Sequence, residues 1–252
     1  MPVVVIGGHT RSVGKTSVVA GLIAALRDLR WTALKITQYG HGVCSANGRP
    51  CDCATGDHSW AVTEEKNRSG ESDTSRFLVA GAEHSWWVRT EQGRLAEAMP
   101  RIRAILAAAE NTIIESNSVL RFLKPDLYLT VLDPATADFK SSAQQFLDRA
   151  DAVLLHAERI GSRLSALGSR EDDPKAEGAS LGKPSHTSPG AESREPGADS
   201  RFSPHYKSSQ ASPVWKQVSL KPVLTRPTFA IHPPEYVTPE IVAFVRSRLS
   251  ST

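Results

Sequence analysis

The stretch Gly7-Gly8-His9-Thr10-Arg11-Ser12-Val13-Gly14-Lys15-Thr16-Ser17 constrains this chain more than any other. A short apolar, β-branched run, Pro2–Ile6, precedes it. Helical spacing through Val18, Val19, Leu22, Ile23, Leu26 and Leu29 follows and predicts a helix over Lys15–Leu29. A strand, glycine loop and helix in this order turn backbone N–H groups toward an anion. Glycine permits conformations that a Cβ forbids, and the helix beginning near Gly14 aims the positive end of its dipole at the same point. Gly8, Thr10, Arg11, Ser12, Val13, Gly14 and Ser17 are the candidate cradle. Lys15 has the reach for β- and γ-phosphates, and the Thr16 hydroxyl suits Mg²⁺. No Asn-Lys-x-Asp sequence reads a guanine, so both ATP and GTP are admitted.

The remainder has a repeating rhythm. Strands are expected at Trp31–Ile36, His84–Arg89, Asn111–Glu115, Asp126–Leu132, Asp151–Leu155 and Thr228–Ile231. Helices are expected at Asp73–Ala82, Arg94–Ala109, Ser118–Leu123 and Ser141–Ala150, with a last one starting near Pro239. Strands alternating with helices imply an α/β fold, a mostly parallel sheet between two helical layers. Strand order is not encoded in this pattern.

A nucleotide site of this type needs an acid at the end of a neighbouring strand. Thr112-Ile113-Ile114-Glu115 supplies one, and Glu115 could bind Mg²⁺ or orient an attacking group, with Lys15 as the other catalytic candidate. The plainer alternative is that Glu115 caps the Ser118–Leu123 helix. Asp73, likewise, reads first as the cap of its own helix.

The loop Gly8-x-Thr10-x-x-Val13-Gly14-Lys15-Thr16, with five residues between its glycines, resembles that of dethiobiotin synthetases, in the SIMIBI class of P-loop NTPases. From Val3 to about Asp126 the order of motifs resembles the molybdopterin-guanine dinucleotide biosynthesis protein B (MobB) family. The residues that carry this are Lys35-Ile36-Thr37-Gln38-Tyr39-Gly40-His41, Ser72-Asp73-Thr74-Ser75-Arg76 with Ala80-Gly81-Ala82, and Ile113-Ile114-Glu115. Two departures stand out: the loop spacing, and Ser116-Asn117 where MobB proteins have glycine. The resemblance implies a P-loop NTPase fold, Lys35 in the nucleotide site, and Asp73 joining Thr16 and Glu115 around Mg²⁺. It also implies slow hydrolysis, a protein partner in cofactor (molybdenum cofactor-like) biosynthesis, and a homodimer. A dethiobiotin-synthetase-like ligase acting on a small acid is the alternative.

All three cysteines fall in one loop, Cys44, Cys51 and Cys53, near His41 and His58. Three thiolates and an imidazole could bind Zn²⁺, which would suit a metal-delivery GTPase, although the standard Cys-x-x-Cys knuckle is missing and plain loop thiols explain the cluster too. Trp86-Trp87 reads as packing of a strand on a helix. The run Asp133–Lys140 follows a strand on the edge where ligands bind in open sheets, and suits either a base or second-substrate contact or a capped turn.

Composition decides the rest. Of the 53 residues in 161–213, 24 are Ser, Pro or Gly and none is Val, Ile, Met or Trp, so this segment is expected to be a disordered insertion. The expected organisation is a core over 1–160, the insertion, and a segment over 214–252 that completes the same domain. Basic and acidic residues balance at 18 each over 1–160 and 7 each over 161–213, so the net +3 lies entirely in 214–252. No basic stripe suggests a nucleic-acid partner. No apolar run of about 20 residues suggests a membrane span. Met1–Thr10 lacks the basic start and cleavage site of a secretory leader, and three cysteines make no disulfide scaffold, so the expected compartment is cytoplasmic.

Overall fold

The computed structural model describes residues 1–39, 59–157 and 225–250. Cysteines 44, 51 and 53, His41, His58, and the Ser/Pro/Gly-rich segment 161–213 lie outside the described residues.

Eight strands form one sheet: β1 (Val3–Gly8), β2 (Trp31–Tyr39), β3 (Trp60–Glu64), β4 (His84–Glu91), β5 (Asn111–Glu115), β6 (Leu127–Leu132), β7 (Ala152–His156) and β8 (Thr228–Ile231). Their order across the sheet is β3-β4-β2-β5-β1-β6-β7-β8. Every pairing is parallel except β3 with β4. The helices are α1 (Lys15–Ala25), α2 (Asp73–Ala80), α3 (Leu95–Ala108), α4 (Ser141–Phe146) and α5 (Pro239–Leu249).

Side chains alternate across a strand, and the core is split accordingly. In β1, Val4 and Ile6 face the layer of α1, α2 and α5, whereas Val5 faces α3 and α4. Ile113 and Ile114 of β5 divide in the same way, as do Leu129 and Tyr128 of β6. Both faces are covered, which is why the central strands read as unbroken apolar runs rather than alternating ones. This is a three-layer α/β fold with a mostly parallel sheet. Among the described residues, no helix is long and apolar enough to cross a membrane.

Several expected boundaries shift. β1 continues to Gly8, two residues past the apolar run, because Gly7 and Gly8 still pair with Thr130 and Val131 of β6. β2 runs on to Tyr39 because β4 pairs with it to Glu91. The first helix stops at Ala25 and a 3-10 turn, Arg27–Leu29, follows. The expected Ser118–Leu123 helix is only a 3-10 turn, Ser118–Arg121, and the Ser141–Ala150 helix ends at Phe146 before another such turn. Strand β3 was not expected at all. It is a five-residue edge strand, and Trp60 and Val62 on one face pack against the α3 side of the core.

Candidate functional site

β1 and α1 carry the glycine loop at the carboxyl edge of the sheet, the edge where open α/β sheets bind ligands. Ser12 (φ 54°) and Gly14 (φ 96°) are both left-handed, with Val13 between them. Such alternation turns successive amides toward one centre. Gly14 is the N-cap of α1 and no side chain caps it, which leaves the first-turn N–H groups for a ligand. A Cβ at Gly14 would lie 2.2 Å from Tyr236 Cε1, so glycine is required there by both the backbone and the neighbour.

Beside β1, β5 and the next strand out, β2, place Lys35 opposite Glu115. The Lys35 ammonium donates to Glu115 Oε1 at 3.0 Å and reaches Asp73 Oδ2 at 2.5 Å. Thr16, in the first turn of α1, donates its hydroxyl to Glu115 Oε2 at 2.8 Å. Burial alone would lower the Lys35 pKa. The Glu115 and Asp73 carboxylates outweigh it and hold the ammonium above its ordinary value. For Lys15 the balance is reversed: burial dominates, Lys35 adds to it, and the pKa falls despite Glu115 and Asp73. The Lys15 ammonium donates to the Thr10 carbonyl at 2.7 Å.

Both plainer readings of the acids give way. Ser72, not Asp73, caps α2, its hydroxyl accepting from Ser75 N–H at 3.0 Å. Glu115 faces Thr16 and Lys35 rather than a helix end. Arg76, in turn, donates to Ser17 Oγ at 3.2 Å, tying α2 to α1.

One cleft of about 890 Å³ is lined by Arg11, Ser12, Gly14, Lys15, Thr16 and Ser17 together with Lys35, Asp73 and Glu115. Gly8, Thr10 and Val13 stand behind that lining. Val13 is 4% exposed and belongs to the α1 core, and the hydroxyl of Thr10, 5% exposed, is taken by Asp138 at 2.5 Å. Gly8 is held by Asn117, whose amide accepts from Gly8 N–H at 2.9 Å and donates to Gly8 C=O at 2.8 Å. β5 ends at Glu115, and the Asn117 side chain supplies the next rung of the β1–β5 ladder. Gly7 makes room for it, since a Cβ there would stand 2.3 Å from Asn117 Oδ1.

Sequence reasoning missed these supports. Asn117 was visible only as a departure from the glycine of the MobB pattern. The chain's far end braces the loop: His156, at the end of β7, bonds through Nε2 with Val13 C=O at 2.9 Å, and its ring meets Tyr236 edge-on at 5.9 Å. No local pattern announces Tyr236 or His156, because their partners in the loop, Gly14 and Val13, are more than 100 residues away. Trp86 packs on the α3 side of the core, as expected, and Trp87 donates to Thr37 Oγ1 at 2.9 Å. Among the described residues, no group of three or more His, Cys, Asp or Glu is placed to hold a metal ion.

No family model matches the chain, and no curated protein matches it. Among solved structures, the "apo" form of LpxK from Aquifex aeolicus in complex with ATP is similar at 20% identity and a TM-score of 0.40. The similarity covers 64% of this chain and 49% of that one, so the chain spans about half of that protein's length.

Proposed function

We propose that this chain is a Mg²⁺-dependent P-loop nucleotide-binding protein that takes ATP or GTP and hydrolyses it slowly. The observation that carries the reading is the convergence on one glycine loop of Lys15, the Thr16 hydroxyl and the Glu115 carboxylate, with Thr16 and Glu115 joined at 2.8 Å. Loop amides and Lys15 would neutralise charge that develops on the γ-phosphate. Lys15 is poised for this: its ammonium is held by a backbone carbonyl, a partner that a phosphate oxygen readily replaces.

The oxygen donors Thr16, Glu115 and Asp73 suit a hard divalent cation such as Mg²⁺. When bound, the ion would add positive charge against the phosphates. Lys35 stands between the two carboxylates and sets how much negative charge they present. The role in cofactor biosynthesis, a protein partner, homodimerisation and a cytoplasmic location rest on the resemblance and the composition described above. So does the division into a core, an insertion and a completing segment, for which the pairing of β8 with β7 is further support.

Calorimetric titration with ATP and GTP in the presence of Mg²⁺ tests the reading. Lys15→Ala should abolish binding of whichever nucleotide binds, and undiminished affinity in that variant would refute it.

A further inference from the structure

The cleft continues past the phosphate loop to the other face of the sheet. There it is lined by Arg121 and Phe122, which follow β5, and by Lys140, Ser142 and Phe146, which follow β6. All five lie outside the glycine-loop segment 7–17. Arg121 donates to Gln145 Oε1 at 2.9 Å, which fixes it near the far end of α4, roughly 7.5 Å of helix rise from Lys140. Among the described residues, the Lys140 ammonium has neither a hydrogen-bond nor an ion-pair partner, although it is half-buried.

Lys140 is also rigidly placed. Its backbone N–H donates to His9 C=O at 2.8 Å, and Asp138, two residues earlier, accepts the Thr10 hydroxyl. The β6–α4 connection is thus tied twice to the phosphate loop. A half-buried ammonium without a hydrogen-bond or ion-pair partner, in the wall of a cleft that also carries Arg121 and near the like charges of Lys15 and Arg11, is costly unless an anion arrives. The charge count agrees. Of the cations that line the cleft, Lys35 is matched by Glu115 and Asp73, and Arg76 stands 3.8 Å from Asp73, whereas Arg11, Lys15, Arg121 and Lys140 share one remaining lining carboxylate, Asp138.

We propose that the lobe framed by Arg121 and Lys140 binds the anionic group, carboxylate or phosphate, of a second small-molecule substrate whose apolar part rests on Phe122 and Phe146. The inference rests on the nucleotide reading only in calling that molecule a second substrate. The two cations attract and orient the anion, Ser142 supplies a hydroxyl, and the two rings give the site its apolar floor. This chemistry separates a transferase-like protein from a bare triphosphatase, because a triphosphatase has no use for a cationic lobe beyond the γ-phosphate.

The test is calorimetric titration of the full chain with phenyl phosphate and with phenylacetate, each with and without Mg²⁺–ADP, and with benzyl alcohol as the uncharged control. At least one anion should bind at a single site, whereas benzyl alcohol should not. Arg121→Gln and Lys140→Gln should each weaken that binding about tenfold or more, the loss of one charge-assisted contact. Lys15→Ala should weaken it less than either glutamine variant does, since Lys15 acts there only as a neighbouring charge. Which of the two probes binds more tightly identifies the anion as phosphate or carboxylate. Binding that disappears in Lys15→Ala but survives both glutamine variants would place the anion on the phosphate loop and overturn the proposal, as would absence of binding by both anions. Thermal unfolding of each variant excludes a folding defect as the cause. ADP affinity, read from separate titrations, reports on the nucleotide reading alone, so failure of one does not imply failure of the other.

Discussion

Lys35 and Glu115 are direct partners across the β2–β5 ladder, and their side chains meet at 3.0 Å beside the first turn of α1. Both are buried, at 8% and 6% exposure. A buried ion pair gives little net stability over an apolar pair, but removing one member strands the other at high cost. Its value here is positional. The pair brings a carboxylate, its neighbour Asp73 and the Thr16 hydroxyl to one point without leaving two bare negative charges in the core.

Replacing the lysine exposes that arrangement. Lys35→Met leaves Glu115 and Asp73 facing each other and should lower stability by about 3 kcal/mol in urea unfolding at neutral pH. Mg²⁺ should then raise the thermal midpoint of the variant more than that of the parent, because a divalent cation can take the place of the ammonium between the carboxylates. The pH dependence follows from the raised pKa of Lys35. Its contribution is complete below the unfolded value of 10.5 and is lost as pH rises through the higher folded value. The stability gap between parent and variant should therefore stay constant from neutral pH to about pH 10 and close only above it. A gap that closes near neutrality would contradict this account.

The β1–loop–α1 unit was legible in the sequence because its parts are contiguous. An apolar run, glycines and a helical period lie within 29 residues, and the chemistry of Lys15 and Thr16 depends on nearest neighbours. Glu115 and Asp73 were legible as acids at the ends of elements, but their alternative roles as caps were not separable until Ser72 was seen to cap α2. Strand β3 was not legible, since five residues with one half-buried face carry too little periodicity to register. Asn117, His156 and Tyr236 act by pairing with backbone or glycine far away in the chain, and a single sequence has no local term for that.

Asn117 should be a determinant of loop geometry rather than of chemistry. Asn117→Ala removes both bonds to Gly8 and leaves a backbone N–H and C=O without partners, a cost of about 1–3 kcal/mol in urea unfolding. Asn117→Asp keeps the acceptor for Gly8 N–H but turns a carboxylate oxygen toward the Gly8 carbonyl, so it should not restore stability. Parent-like stability in both variants would show that the clamp is incidental.

Gly14 is constrained twice, and the two constraints can be separated. Gly14→Ala places a Cβ 2.2 Å from Tyr236 Cε1 and forces alanine into a left-handed conformation at φ 96°. Adding Tyr236→Ala removes the overlap and leaves the backbone penalty, about 1–2 kcal/mol. The double variant should thus recover only part of the stability lost in Gly14→Ala, once the separate cost of Tyr236→Ala is subtracted. Full recovery would mean that the backbone at Gly14 carries no strain for alanine.

Lys140 should titrate apart from every surface lysine. Burial lowers its pKa to about 8, Lys15 and Arg11 push the same way, and Asp138 and Glu115 oppose them. The native state therefore releases this proton before the unfolded chain does, and stability should rise between about pH 8 and the unfolded value of 10.5, relative to Lys140→Met. The same neutral amine is a nucleophile. Brief acetylation followed by peptide mapping should show Lys140 modified with a midpoint near 8, below that of exposed lysines near 10.4. An anion seated against the ammonium would favour the charged form, so phenyl phosphate or phenylacetate should move that midpoint upward and slow the labelling. Labelling of Lys140 in step with the exposed lysines, with and without anion, would show that neither burial nor the cations of the phosphate loop act on it.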